Sequence, residues 1–280
     1  MKTKNIQRVA LVGGGVIGSG WATRCLAHGL SVVVTDPSPA AAEMVLKTVD
    51  SAWPILEGAG LGEKADRSKL EFAPDIETAV ADADFVQENV PEREDLKIAV
   101  HEEIGRHAKD DIVVASSSSG LLPSRLQSRC RRPERLVIGH PFAPVYLLPL
   151  VEVVGGEQTS LEFVRAAGAF YRKIGMRPLH VRKEIEAYIA DRLQESLYRE
   201  ALHLINDGIA TVPEIDAAVT GGPGLRWAFM GTFMAWHLGG GPGGMRHTIE
   251  QFGPALEPVS YTHLRAHETD SYLVCRLLLE

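Results

Sequence analysis

The stretch Val9-Ala-Leu-Val-Gly-Gly-Gly-Val-Ile-Gly18 decides the reading of this chain. An apolar run from Val9 to Val12 ends in Gly13, Gly15 and Gly18, spaced as GxGxxG, and Ser19 to His28 read as a helix. Strand, glycine turn and helix in that order are the context in which a dinucleotide fingerprint carries meaning. Gly13 allows the tight turn, Gly15 lets the main chain approach a pyrophosphate, and Gly18 lets helix and strand pack closely. Val16 and Ile17 complete the loop, and the helix that follows offers unpaired N–H groups and a positive dipole end to phosphate. A second strand, Ser31 to Thr35, ends at Asp36. An acid there accepts hydrogen bonds from both ribose hydroxyls and repels a 2′-phosphate, so the expected cofactor is NAD. The competing reading is a structural glycine turn with Asp36 as a helix cap.

Outward from that stretch, strand and helix patterns alternate, which predicts a doubly wound α/β sheet of the Rossmann type. Strands are expected at Leu70 to Ala73, Ala83 to Gln87, Asp111 to Ala115, Arg135 to Gly139, Leu150 to Val154 and Arg177 to Val181. Helices are expected from Pro37 to about Leu56, Ile76 to Ala81, Glu94 to Ala108 and Ser160 to Gly175. After residue 183 the pattern turns all-helical. Ile189, Leu193, Leu197, Ala201, Leu204 and Ile205 recur at helical spacing from about Glu184 to Asp207. Further helices are expected at Pro213 to Val219 and Trp227 to His237. The division is therefore a nucleotide domain over 1–183 and a smaller helical substrate and dimerisation domain over 184–257, truncated. Residues 258–280 are polar and weakly patterned. They resemble a translated sequencing-adapter tail, the alternative being a genuine terminal helix, and His263 and His267 carry no chemistry in this reading.

The chain has 280 residues and a formal net charge of −7. That balance argues against nucleic acid or a membrane surface as partner. The sequence shows neither a signal peptide nor a membrane-length apolar run, so the expected location is the cytoplasm. Cys25, Cys130 and Cys275 form no CxxC and fit free thiols. With no His/Cys cluster at ligand spacing, no metal is expected.

Oxidising an alcohol with NAD needs a base for the hydroxyl proton, and histidine suits that task near neutral pH. His140 follows a predicted strand, and ligand sites in such sheets lie outside the carboxyl ends of the strands. Glu152 interrupts the apolar strand Leu150-Val-Glu-Val-Val154, and a buried carboxylate needs a partner. By spacing alone the His140–Glu152 pair stands beside a bland alternative, a structural histidine and an edge-facing glutamate. Ser119, closing a serine run, reads equally as a substrate-side hydroxyl or as the cap of the next helix.

Five motifs together resemble the 3-hydroxyacyl-CoA dehydrogenase family: Val12-Gly-Gly-Gly-Val-Ile-Gly-Ser-Gly20, Glu88-Asn-Val-Pro-Glu92, Ser116-Ser-Ser-Ser-Gly-Leu121, Gly139-His-Pro-Phe-Ala-Pro144 and Leu150-Val-Glu-Val153. The resemblance implies His140 as base, Glu152 as its carboxylate partner, Ser119 as the substrate-side hydroxyl, Glu92 near the cofactor, Asp36 on the ribose, and a homodimer. Within the family, Tyr146 to Gly156, Gly175 to Lys183 and Gly224 to Thr232 resemble a branch acting on carnitine, with an L-gulonate branch as neighbour. A small 3-hydroxy acid such as carnitine is thus the implied substrate. Other readings are a hydroxyacyl-CoA substrate or a non-catalytic NAD-binding protein. A quaternary ammonium is held by aromatic faces and a nearby anion. Tyr188, Trp227, Phe229 and Trp236 could supply the faces, Asp191 the charge, and Arg226 a fork for the substrate carboxylate. The alternatives are helix packing for the aromatics and a surface ion pair for Arg226. Three departures from the family pattern stand out. Ala143 replaces an asparagine, Asp191 stands where the acyl-CoA branch has asparagine, and Glu186-Ala187 replaces Pro-Gly.

Overall fold

The computed structural model describes residues 6–256. The expectations for residues 258–280 and Cys275 lie outside them. Two compact units divide the chain, Met1–Glu195 and Ser196–Glu280.

The first unit is built on eight strands: β1 (Arg8–Val12), β2 (Ser31–Thr35), β3 (Leu70–Phe72), β4 (Phe85–Glu88), β5 (Val113–Ser116), β6 (Leu136–Pro141), β7 (Leu150–Gly155) and β8 (Arg177–Val181). Between them run α1 (Val16–Ala27), α2 (Ala41–Gly58), α3 (Ile76–Val80), α4 (Glu94–His107), α5 (Pro123–Leu126) and α6 (Leu161–Lys173). The strand order is β3-β2-β1-β4-β5-β6-β7-β8. Its first six positions follow the dinucleotide-fold order, with the reversal of direction between β1 and β4. All pairs are parallel except β6 with β7. Strands such as Ser31-Val-Val-Val-Thr35 are nearly continuously apolar because helices cover both faces of a parallel sheet. Val9, Leu11, Val32 and Val34 pack towards Trp21, Leu26, Val45 and Phe170, whereas Ala10, Val12, Val33 and Val86 pack towards Val80, Val100 and Ile104.

The helix that leads out of this unit, α7 (Ala190–Asn206), begins at Ala190, six residues later than the periodicity predicts. The cause lies just upstream. Ala187 and Tyr188 both adopt left-handed backbone, φ 59° and 47°, which no helix tolerates. The second unit contains α8 (Val212–Gly221), α9 (Pro223–Trp227), α10 (Thr232–Gly239) and α11 (Gly244–Leu256). Thr211 and Glu214 close a capping box on α8, so the helix starts at Val212, just ahead of the expected Pro213. The single helix expected over Trp227 to His237 is in fact two, interrupted at residues 228–231, where Gly231 starts α10 with extended backbone.

Among the described residues no helix is long and apolar enough to cross a membrane. Among them, too, no three His, Cys, Asp or Glu side chains gather as a metal site. Cys25 and Cys130 are free thiols, Cys25 buried.

Candidate active site

A cavity of about 690 Å³ opens at the carboxyl ends of β1 and β4. Gly13, Gly15, Val16, Ile17, Asp36, Glu92 and Ser119 all line it. The glycines behave as their spacing requires. Gly13 has φ +102°, and a Cβ there would stand 2.7 Å from the Asn89 main chain. At Gly18 a Cβ would meet the Gly13 carbonyl oxygen, so this glycine serves close packing. A Cβ on Gly15 would meet nothing within 4 Å, so its main chain faces open space. Helix α1 has no side-chain cap and no acid in its first turn, which leaves its N–H groups for an anion. Asp36 accepts hydrogen bonds from the Gly14 N–H and the Ser38 N–H, each 2.8 Å, tying the fingerprint turn to the end of β2. These residues fit NAD: a cradle of open main chain for the pyrophosphate and an acid at the ribose end.

Glu92 organises the serine turn after β5. One carboxylate oxygen accepts from the Ser118 hydroxyl (2.5 Å), the Ser119 N–H (3.0 Å) and the Gly120 N–H (3.2 Å). Ser119 itself is exposed to the cavity.

His140 and Glu152 face each other in the antiparallel β6–β7 ladder, as register partners. His140 Nδ1 lies 2.9 Å from Glu152 Oε2, and both side chains are buried. The other oxygen, Oε1, accepts the N–H groups of Ile189 and Ala190, both at 3.0 Å. Burial pushes the Glu152 carboxyl upward, but the His140 contact and the two main-chain donors outweigh it and hold it below the usual carboxylate range. An ionised Glu152 accepts a hydrogen bond from Nδ1–H and leaves Nε2 as the basic nitrogen. Asp191 Oδ2 stands 3.7 Å from that Nε2. Phe142 and Tyr188 flank the imidazole, with ring centroids 4.7 and 5.5 Å away.

Tyr188 is fully buried, and its hydroxyl donates to the Leu121 carbonyl at 2.7 Å. It therefore braces His140 from behind instead of offering a face to a ligand. Ala143 is exposed on the loop after β6. Arg226, Trp227, Phe229 and Trp236 belong to the second unit. There Arg226 and Trp236 line a separate cavity of about 420 Å³, and Phe229 is 88% exposed.

Sequence reasoning missed a second buried charge cluster. Lys97 Nζ is 2.8 Å from Glu88 Oε1 and 3.5 Å from Glu92 Oε2, and it donates to the Val90 carbonyl at 2.9 Å. His101 Nε2 is 3.2 Å from Glu88 Oε2, which also accepts the Ser116 hydroxyl at 2.5 Å. Against burial, His101 and Lys97 hold the Glu88 carboxyl down at about 2. The signal was available: Glu88 ends an apolar strand as Glu152 interrupts one, and Lys97 and His101 sit four apart on the apolar face of α4 with Val100 and Ile104.

A buried histidine–carboxylate pair on the sheet that carries an NAD cradle is the arrangement of an NAD-dependent dehydrogenase. The profile for the 3-hydroxyacyl-CoA dehydrogenase NAD-binding domain matches residues 8–185, and that for the same enzyme's C-terminal domain matches 188–268. The chain belongs to the 3-hydroxyacyl-CoA dehydrogenase family, as an NAD-dependent dehydrogenase of 3-hydroxy acids. It is 55% identical over 273 residues to an L-carnitine dehydrogenase of Burkholderia mallei, covering 98% of this chain and 85% of that one. An L-carnitine dehydrogenase of Bacillus cereus is 52% identical over 278 residues, covering 99% and 85%. Among solved structures, an NAD+-dependent 5-formyl-3-hydroxy-2-methylpyridine 4-carboxylic acid 5-dehydrogenase superposes with a TM-score of 0.77 at 31% identity, covering 93% and 81%. A (S)-3-hydroxybutyryl-CoA dehydrogenase of Ralstonia eutropha gives 0.70 at 28% identity, covering 78% of each chain.

Proposed function

We propose that this chain oxidises the 3-hydroxyl of L-carnitine to 3-dehydrocarnitine. The observation that carries the substrate is the run of relatives named L-carnitine dehydrogenase at more than half identity over nearly the whole chain. The stretch Gly224 to Thr232, which resembles the carnitine branch, weighs in the same direction.

In this reading His140 Nε2 takes the hydroxyl proton. Glu152, held by three hydrogen bonds, keeps the proton of Nδ1 in place and stabilises the imidazolium that forms. NAD, when bound across Gly13 to Gly18 and Asp36, supplies the acceptor for the C3 hydride. Glu92 fixes the serine turn so that the Ser119 hydroxyl can donate to the substrate oxygen as its charge changes. Burial of His140 and Glu152 excludes water from the proton's path.

Trp227→Ala tests the aromatic face expected from the sequence: on that expectation it raises the carnitine requirement and leaves NAD binding unchanged. The chain acts as a homodimer. Support comes from the exposed apolar side chains Leu225, Phe229, Phe233, Met234 and Leu238, more than a small helical unit ordinarily leaves to water. Its solution mass measures this directly.

The deciding experiment follows NADH formation with L-carnitine, D-carnitine, L-gulonate, 3-hydroxybutyrate and a 3-hydroxyacyl-CoA, beside NAD binding by calorimetry. Turnover confined to L-carnitine is the expected result. Turnover confined to L-gulonate or the acyl-CoA would move the substrate within the same chemistry. NAD binding without turnover on any of them would favour a non-catalytic nucleotide-binding protein. Ala143, in place of the family's asparagine, is the residue that reading would rest on.

A further inference from the structure

Asp191 stands at the open end of the His140 imidazole. Its Oδ2 is 3.7 Å from Nε2, the nitrogen that Glu152 does not use. Its side chain is 29% exposed, against 5% for His140 and 0% for Glu152. Among the described residues no lysine or arginine pairs with it, and its ion contact is with the imidazole alone. Burial raises its carboxyl's affinity for a proton; the imidazole opposes this and Glu152 adds to it. A half-buried carboxylate without a basic partner is costly until something cationic meets it.

The spacing says where that cation would sit. A gap of 3.7 Å is too long for a hydrogen bond, yet too short for a group to lie in line between the two side chains. A carbinol oxygen bonded to Nε2, at about 2.8 Å, must sit to one side. The carbon next to the carbinol then lies against Asp191. A quaternary ammonium on that carbon has no hydrogen to donate and needs only a nearby negative charge, which is what a carboxylate at this position offers.

We propose that Asp191 is the specificity-determining residue of the site. The element it recognises is a secondary alcohol bearing a quaternary ammonium on the adjacent carbon. The carboxylate of carnitine adds affinity to this element without defining it. The activity therefore extends to hydroxyalkyl-trimethylammonium compounds that carry no carboxylate. This inference rests on the reading of the chain as a carnitine-oxidising enzyme.

Three alcohols test it on the full-length chain: L-carnitine, 2-hydroxypropyl-trimethylammonium, and 3-hydroxy-5,5-dimethylhexanoate, in which a neutral tert-butyl group replaces the ammonium. In the unsubstituted enzyme kcat/KM for the neutral isostere should fall about 10²-fold below carnitine, the scale of a lost buried charge partner. The carboxylate-free ammonium alcohol should exceed the isostere. Asp191→Asn should lower kcat/KM for carnitine about 10²-fold more than for the isostere, so that the preference between the two is lost. Asp191→Glu should retain part of the preference. NADH affinity, read by fluorescence, should be the same in all three proteins.

Equal use of carnitine and the isostere by the unsubstituted enzyme overturns the proposal. So does an ammonium alcohol used less well than the isostere, or an equal loss on all three alcohols in Asp191→Asn. Should the enzyme bind NADH but oxidise none of them, the carnitine reading fails first. Calorimetric binding of carnitine against the isostere to the NADH complex then still decides whether Asp191 selects the cation.

Discussion

Glu152 is bound on both sides: Oε2 accepts a hydrogen bond from His140 Nδ1–H across the β6–β7 ladder, and Oε1 caps the first N–H groups at the start of α7. One carboxylate thus joins the proposed base to the helix that leads into the second unit. His140→Ala should lower kcat by about 10²–10⁴-fold, the worth of a positioned general base, with NADH affinity unchanged. Glu152→Gln should also lower kcat by at least about 10²-fold, because a neutral amide neither fixes the tautomer nor stabilises imidazolium. Steady-state rates beside NADH titration check both. A fully active His140→Ala enzyme removes the mechanism.

Gly15→Ala separates binding from folding. Its backbone is ordinary at φ −68°, and a Cβ there meets nothing within 4 Å. Thermal stability should stay within about 0.5 kcal/mol, as for an unconstrained surface change. NADH affinity should drop about tenfold or more, since the methyl occupies the approach to the pyrophosphate. Calorimetry and thermal unfolding on the same protein give both numbers.

Glu88 makes stability depend on acid. Its folded pKa, about 2, lies below its unfolded value near 4.5, so the contribution is complete above that unfolded value. It is lost progressively as pH falls from about 4.5 towards 2, and amounts to roughly 3 kcal/mol. Glu88→Gln should lose this acid-sensitive share. At neutral pH it should cost about 3 kcal/mol, because buried Lys97 loses its near anion and keeps only Glu92, 3.5 Å away. Urea unfolding at pH 7 and pH 3 compares the two proteins.

Ala187 holds φ 59° where the family pattern has glycine. A left-handed alanine costs about 1–2 kcal/mol, partly offset by the greater chain entropy of glycine when unfolded. Ala187→Gly should therefore raise stability by about 0.5–1 kcal/mol, and Ala187→Val should lower it. A fall in melting temperature for the glycine variant contradicts this.

Much of the first unit was legible because its signals are local. Val9 to Val12, the three glycines and Asp36 lie within one βαβ unit, and each strand's apolar run reports burial on both faces. Glu152 stood out because a carboxylate inside Leu150-Val-Glu-Val-Val154 is buried with its neighbours and must find a partner there. The same reasoning applied to Glu88 leads to Lys97 and His101. The start of α7 was not legible. Its cap is the side chain of Glu152, 37 and 38 residues upstream of the N–H groups it accepts, so no neighbouring residue announces it. Tyr188 read as a ligand-facing aromatic, yet its left-handed backbone and the Leu121 carbonyl turn it into the core.

By itself the amino-acid order determined the sheet, the nucleotide cradle and the candidate base, since hydrophobic period and glycine spacing act over a few residues. Only the tertiary structure decided which charges meet. It paired His140 with Glu152 by antiparallel register, gathered Glu88, Lys97 and His101 from two elements, and set Asp191 3.7 Å from the basic nitrogen. Electrostatic partnership depends on distance through space and on exclusion of water, and neither is written in the spacing of residues along the chain.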